Sequence, residues 1–268
     1  MILLRGYPSV KNKTINEFVA IFCDSIRNLY ISLMTEKIVH YLTINNISAC
    51  TFCKFEQSFS INDINKCKKI RIKKIISFLE ISDDVINYAH DNGIKIFIIG
   101  RKLSNANCSC VYTNDFKGGY LAAEYLIKNG AKEFTYVGFK NNECSVRRLE
   151  GFKKKISEEF SDAQVKVLYD YQLKRNVFNE ILGDHRGVFI YCDELLLNFV
   201  AALKRSNFIF APNMLIGFDG ISRFFEGISS YLSISFDYEN IALAVVNMVI
   251  GKDTSNEKEF DVFMHEVY

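Results

Sequence analysis

Apolar and polar positions along this chain follow two rhythms, one suited to strands and one to helices. The stretch from Val111 to Phe152 holds both. A short apolar run meets a polar break at 113–115, and apolar residues then recur at helical spacing over 116–128. Asn129-Gly130 ends that helix, and 134–138 reads as the next strand. Strand, break, helix, strand is a βαβ unit of parallel sheet. An irregular patch follows, and paired arginines, Arg147 and Arg148, stand at the mouth of a helix running from 148 to about 159. In open α/β sheets, ligands bind at loops beyond the carboxyl ends of the strands.

The same alternation extends over most of the chain. Further strands are expected over 17–23, 47–55, 75–79, 94–99, 164–169, 187–191, 214–217 and 231–235. Further helices are expected over 29–43, 61–67, 83–92, 172–182, 193–205 and 238–250, with a final extended piece over 259–267. Residues 1–16 are polar, carry Gly6 and Pro8, and read as an arm or linker. Alternating strands and helices imply α/β architecture, with parallel sheets covered by helices on both faces. Two runs of the pattern meet near Gly130, which suggests two Rossmann-like lobes with a cleft between them.

Composition narrows the class. The chain has 268 residues, 49% of them apolar, so it can bury a substantial core. Its net charge of +2 gives no broad electrostatic reason to expect nucleic acid or an acidic partner. Several of the eight cysteines lie in apolar strand-like runs, where a free thiol behaves as a small hydrophobe. With no signal-peptide pattern at the N-terminus and no membrane-spanning run, the expected setting is a reducing cytoplasm.

Most recurrent chemical signals are weak. Cys50 and Cys53 have C-x-x-C spacing but lie on an expected strand without a second pair, which argues against zinc. The four histidines are scattered. The basic run 68–74 reads as a solvated face. Gly118-Gly119 falls inside a helix, where it permits close packing, and is no nucleotide fingerprint. No nucleophile–base pair, metal cluster or phosphate loop points to an enzyme, and no cofactor is expected.

Four stretches in order carry a family resemblance. T-N-D-F-K-G-G-Y-L-A-A-E-Y-L-I-K-N-G-A (113–131), R-L-E-G-F (148–152), V-F-I-Y-C-D-E-L-L-L-N-F-V-A-A-L (188–203) and L-I-G-F-D-G-I (215–221) with L-S-I-S-F-D-Y-E-N-I-A (232–242) resemble motifs of the lactose-repressor family. These are bacterial transcription regulators whose effector-binding core shares its fold with periplasmic sugar-binding proteins. The resemblance runs from about Glu17 to Tyr268. The chain departs from the family pattern at Thr113, at Ala131 and at Asn28-Leu29-Tyr30. The helix-turn-helix domain that precedes this core in the family is expected to be absent from the chain.

The resemblance implies a periplasmic-binding-protein-like fold of type I. The N-terminal lobe is expected to span 17–130 plus 237–252, and the C-terminal lobe 131–236 plus 253–268. It also implies a ligand between the lobes, with Arg148 and Asp219 gripping it from opposite sides. A guanidinium fork facing a carboxylate offers a polyol paired donors and acceptors in fixed directions. Against this stands a plainer reading, in which Arg148 caps a helix or pairs with Glu150. Asp193 is a candidate contact or an N-cap. Asn28 is a candidate polar contact, and Tyr30, Tyr171, Phe218 and Phe224 are candidate stacking or core aromatics. The function implied is an effector sensor for a small, sugar-like molecule, acting on operator DNA through a homodimer whose face includes helix 29–43. A stand-alone or exported solute-binding protein is the alternative.

Overall fold

Asparagine and aspartate punctuate this chain at the starts of its helices. In the computed structural model, Asn28, Asn114, Asn142 and Asp237 each accept the N–H of the third residue onward: Ile31, Lys117, Ser145 and Asn240. Such caps satisfy donors that the first turn leaves open. The structure describes residues 18–54, 58–169, 181, 185–205, 211, 214–221 and 232–265. The expected arm 1–16 and the expected helix 172–182, apart from Ile181, lie outside them.

The first sheet is built from β1 (Phe18–Cys23), β2 (Ser48–Cys53), β3 (Lys74–Ser77), β4 (Lys95–Ile99), β5 (Cys108–Thr113) and β11 (Glu257–Phe260), in the order β11-β5-β4-β3-β1-β2. All its pairings are parallel. The second sheet has the order β12-β10-β9-β8-β6-β7, from β6 (Glu133–Gly138), β7 (Val165–Tyr169), β8 (Arg186–Ile190), β9 (Leu215–Phe218), β10 (Leu232–Phe236) and β12 (Val262–His265). Only β12 runs antiparallel there. Central strands such as β1 are buried on both faces, so they read as unbroken apolar runs, whereas the edge strand β2 is largely exposed.

Seven helices flank the sheets among the described residues: α1 (Leu29–Ile44), α2 (Ile61–Lys69), α3 (Asp83–Asp91), α4 (Asp115–Lys128), α5 (Glu143–Glu159), α6 (Asp193–Arg205) and α7 (Tyr238–Val249). The expected start of α5 at Arg148 is too late. Asn142 caps the helix, so Arg147 and Arg148 lie in its second turn.

The lobe boundaries also differ from expectation. Helix α4 was expected in the N-terminal lobe; it packs instead on α5 and on β8, β10 and β12 of the second sheet. Glycine is the cause. A Cβ on Gly119 would lie 1.8 Å from the Arg148 carbonyl, and one on Gly151 would lie 1.9 Å from the Phe116 carbonyl, so the two helix backbones touch. The final extended piece, expected whole in the C-terminal lobe, is two strands. Of these, β11 extends the first sheet and β12 the second, with Asp261 between them. Helix α7 packs on α1, β4 and β5. The chain thus crosses between lobes at Asn114, Asp237 and Asp261.

Gly151→Ala should destabilise the protein by about 2–4 kcal/mol, because neither backbone can retreat from the added methyl. Gly130→Ala, at a positive φ of 88° with open space around it, should cost only about 1 kcal/mol. Urea unfolding of the two variants tests the contrast.

Candidate functional site

A cleft of about 650 Å³ opens between the carboxyl ends of the two sheets. Its first wall comes from the loops after β1, β3 and β4, which bring Asp24, Asn28, Phe78, Glu80 and Arg101. Its second wall comes from the loops after β6 and β8 and the first turns of α6, which bring Phe139, Asn141, Asn142, Tyr191, Glu194 and Asn198. This is the position at which parallel α/β sheets hold ligands, and the volume suits a small molecule.

Local packing fixes the second wall. The Tyr136 hydroxyl donates to the Ser145 carbonyl at 2.8 Å, and the Ser145 hydroxyl accepts the Phe139 N–H at 2.9 Å. Gly138 has no room for a side chain beside Tyr136 and Ser145. The strand-to-helix turn that presents Phe139 to Asn142 is therefore clamped from below.

Behind the cleft lies a buried ionic cluster. Arg148 Nε donates to Asp115 Oδ1 at 2.7 Å, and another of its N–H groups donates to the Tyr191 carbonyl at 2.6 Å. The guanidinium carbon sits 3.3 Å from the centroid of the Phe218 ring and 4.6 Å from that of Tyr191. Burial works against the charge, but Asp115, Tyr191 and Asp219 together outweigh it, and the Arg148 pKa rises well above its ordinary value.

Two more carboxylates approach the same cation. Burial pushes Asp219 well above the usual carboxylate range against the pull of Arg148, and the charges of Asp193 and Asp115 push it further. Burial raises Asp193 to about 7, against hydrogen bonds from Ser233 and Ile221 and the charge of Arg148. One guanidinium cannot hold three buried carboxylates ionised at once.

Asp193 is neither a plain N-cap nor a wall of the cleft. It accepts the Ile221 N–H at 2.8 Å and the Ser233 hydroxyl at 2.7 Å, and so holds the turn that carries Asp219. Gly217 makes room for it, since a Cβ there would lie 2.1 Å from Asp193 Oδ1. Asp219 has a φ of 115°, strained for a residue with a side chain. Its N–H donates to the Ile234 carbonyl and its own carbonyl accepts the Tyr238 hydroxyl, which pins that conformation.

The structure therefore gathers Arg148, Asp219, Asp193 and Phe218 in one buried cluster. Tyr30 stands beside it, packed edge-on against Phe78 and Phe236. Asn28 caps α1 with its side chain and also lines the cleft. Tyr171 and Phe224 lie outside the described residues. Sequence reading missed Asp115, the direct partner of Arg148, and Tyr191, which serves both the cluster and the cleft wall. It also passed over Asp24 and Glu194. Their places just beyond strands β1 and β8, Asp24 in a loop and Glu194 at the start of α6, were the available signal. The described residues hold no group of three or more His, Cys, Asp or Glu placed to take a metal. None of their helices is long and apolar enough to cross a membrane.

This geometry defines a two-lobed, periplasmic-binding-protein-like fold of type I with an interlobe cleft. Comparison with known proteins agrees. The solved structure of a LacI family transcriptional regulator from Enterococcus faecium with bound ribose superposes with a TM-score of 0.78 at 20% identity, covering 93% of this chain and 97% of that one. A periplasmic binding protein/LacI transcriptional regulator from Alkaliphilus metalliredigens, complexed with D-xylulofuranose, superposes at 0.77 with 17% identity, covering 93% and 97%. In sequence, the chain is 25% identical over 175 residues to the HTH-type transcriptional repressor PurR of Histophilus somni, covering 61% of this chain and 51% of that protein. It is also 25% identical over 197 residues to PurR of Actinobacillus pleuropneumoniae, covering 64% and 59%. The chain spans little more than half the length of these curated relatives. No protein-family model matches it. The chain is thus similar in sequence to these repressors and shares its fold with solved LacI family regulators.

Arg148→Ala should destabilise the protein by about 3–5 kcal/mol, because it strands Asp115 as an unpaired buried carboxylate. The substitution is thus no neutral probe of ligand contact, and denaturant unfolding will measure its cost. A second outcome concerns pH. The folded pKa of Asp193 lies above its unfolded value, so its stabilisation is complete below about pH 4 and is lost as pH rises to about 7. Asp193→Asn should flatten that decline, at most ~1.4 kcal/mol per pH unit from one group, in melts recorded across the range.

Proposed function

We propose that this chain is the effector-sensing part of a bacterial transcription regulator. It binds a small polar ligand, sugar-like in size, between its lobes and couples that binding to operator DNA through a homodimer and an attached helix-turn-helix domain. The observation that carries the reading is the cleft itself: a polar-walled cavity of about 650 Å³ at the carboxyl ends of two parallel sheets. The bound ribose and D-xylulofuranose of the two structural neighbours support a ligand of that size. The function of the curated relatives, transcriptional repression, supports a regulator rather than an enzyme.

Coupling needs a ligand that binds one arrangement of the lobes better than another. The three crossings at Asn114, Asp237 and Asp261 lie where such a rearrangement would turn. The homodimer face includes α1, whose inner residues Ile31, Met34, Ile38 and Leu42 are buried while Glu36, His40, Thr43 and Ile44 face solvent. Within the chain, α1 is tied to α7, where Tyr41 donates to Glu239 at 2.9 Å. A solute-binding protein shares the fold, and the second neighbour's description joins both classes. Ligand-dependent DNA binding separates them.

The test is a thermal-shift screen against sugars, nucleobases and amino acids, since a ligand that binds only the native state raises its melting temperature. Asn198→Trp places a large ring at an exposed position on the cleft wall. It should leave the unliganded melt nearly unchanged and abolish the ligand-induced shift. A shift of full size in Asn198→Trp would move the binding site elsewhere.

A further inference from the structure

The cleft is charged in a way that neither the buried arginine nor the sugars bound by its structural neighbours account for. Its described walls carry three carboxylates, Asp24, Glu80 and Glu194, against one guanidinium, Arg101. Arg101 is already engaged: it lies 3.5 Å from Glu80 and donates to the Phe78 carbonyl at 3.1 Å. Arg148 is turned inward to Asp115. Asp24 and Glu194 form no ion pair among the described residues, and they stand on opposite lobes, one after β1 and the other at the start of α6. The two line one cleft, where burial first, and then the Asp24 carboxylate, raise the Glu194 pKa.

Aromatic rings complete the walls. Phe139 is 37% exposed although large and apolar, and its ring meets Tyr191 edge-on at 5.3 Å. The Tyr191 ring already meets a cation, the Arg148 guanidinium. Aromatic rings beside unpaired carboxylates form a site that attracts a positive group both by ring quadrupole and by charge. Two unpaired like charges facing each other across a closing cleft oppose closure, and a cation between them reverses the sign of that interaction.

We infer that the ligand of this cleft carries a cationic amine, held between Asp24 of one lobe and Glu194 of the other against the rings of Phe139 and Tyr191. The inference rests on the reading of the cleft as an effector site and adds the charge of the effector to it. The amine bridges the lobes, so it binds the closed arrangement better than the open one. A neutral sugar leaves both carboxylates unpaired in the closed cleft and forfeits that preference.

Matched pairs of probes differing only in charge test this: D-glucosamine against D-glucose, and putrescine against 1,4-butanediol, each titrated by calorimetry into the full chain. The amine of at least one pair should bind about tenfold or more tightly than its neutral partner, the worth of a charge-assisted hydrogen bond. The double variant Asp24→Asn/Glu194→Gln should bring the members of that pair to equal affinity. Should the double variant fail to fold, Glu194→Gln alone gives the same readout in smaller measure. If neutral members bind the wild type as well as the amines do, or if the variant keeps the preference, the inference is overturned and the cleft reading stands. If no member of any pair binds, and the wider screen also gives no shift that Asn198→Trp removes, both fail.

Discussion

A buried guanidinium organises the centre of this molecule. Arg148 has left water, and its charge survives only because Asp115 meets it at 2.7 Å and the Tyr191 carbonyl and two rings enclose it. That pairing depends on a backbone contact. Gly119 and Gly151 let α4 and α5 approach until each helix's carbonyl fills the space of the other's missing Cβ. Asp115 opens one of these helices and Arg148 lies in the second turn of the other. The glycines bring the opposite charges together, and the charges in turn fix the register of the crossing. Small-residue packing and ion pairing are two views of one joint.

The cluster around this joint also sets the tension in the site. Asp219 is held in a left-handed conformation by the Ile234 carbonyl and the Tyr238 hydroxyl, and Asp193 grips the same turn through Ile221 and Ser233. Tyr238 belongs to α7 of the first lobe, and Asp219 follows a strand of the second. Cys144 of the second lobe donates to the Gly100 carbonyl of the first. The turn carrying Asp219 is therefore an interlobe contact as well as a strained one. Strain held by contacts across two bodies is sensitive to how those bodies sit.

Much of this was legible in the chain. Strands such as β4 and helices such as α4 announce themselves through apolar periodicity; the motif resemblance singled out Arg148 and Asp219, and Asp193 and Phe218 were candidates beside them, and the fold gathers all four in one cluster. The partner of Arg148 was not legible, because Asp115 sits 33 residues away in sequence and only the Gly119–Gly151 contact makes them neighbours. The side to which α4 belongs was missed for the same reason: periodicity tells which face of a helix is buried, not against which sheet. The early start of α5 was hidden in a polar stretch whose cap, Asn142, looks like any other asparagine until its Oδ1 meets the Ser145 N–H. The cleft walls were missed because loops carry no periodic signal. Asp24 and Glu194 matter through their common cavity, and a cavity is a property of two lobes together.

The strands β11 and β12 are consecutive yet belong to different sheets, with only Asp261 between them. The other two passages between lobes are equally short, at Asn114 and Asp237, and the Asn114 N–H donates to the Phe260 carbonyl, tying the first passage to the third. Three tethers of one residue each permit the lobes to swing and to twist. They do not permit the lobes to separate or to slide, because no slack exists to be drawn out. Relative motion of the lobes is thereby confined to a change of angle.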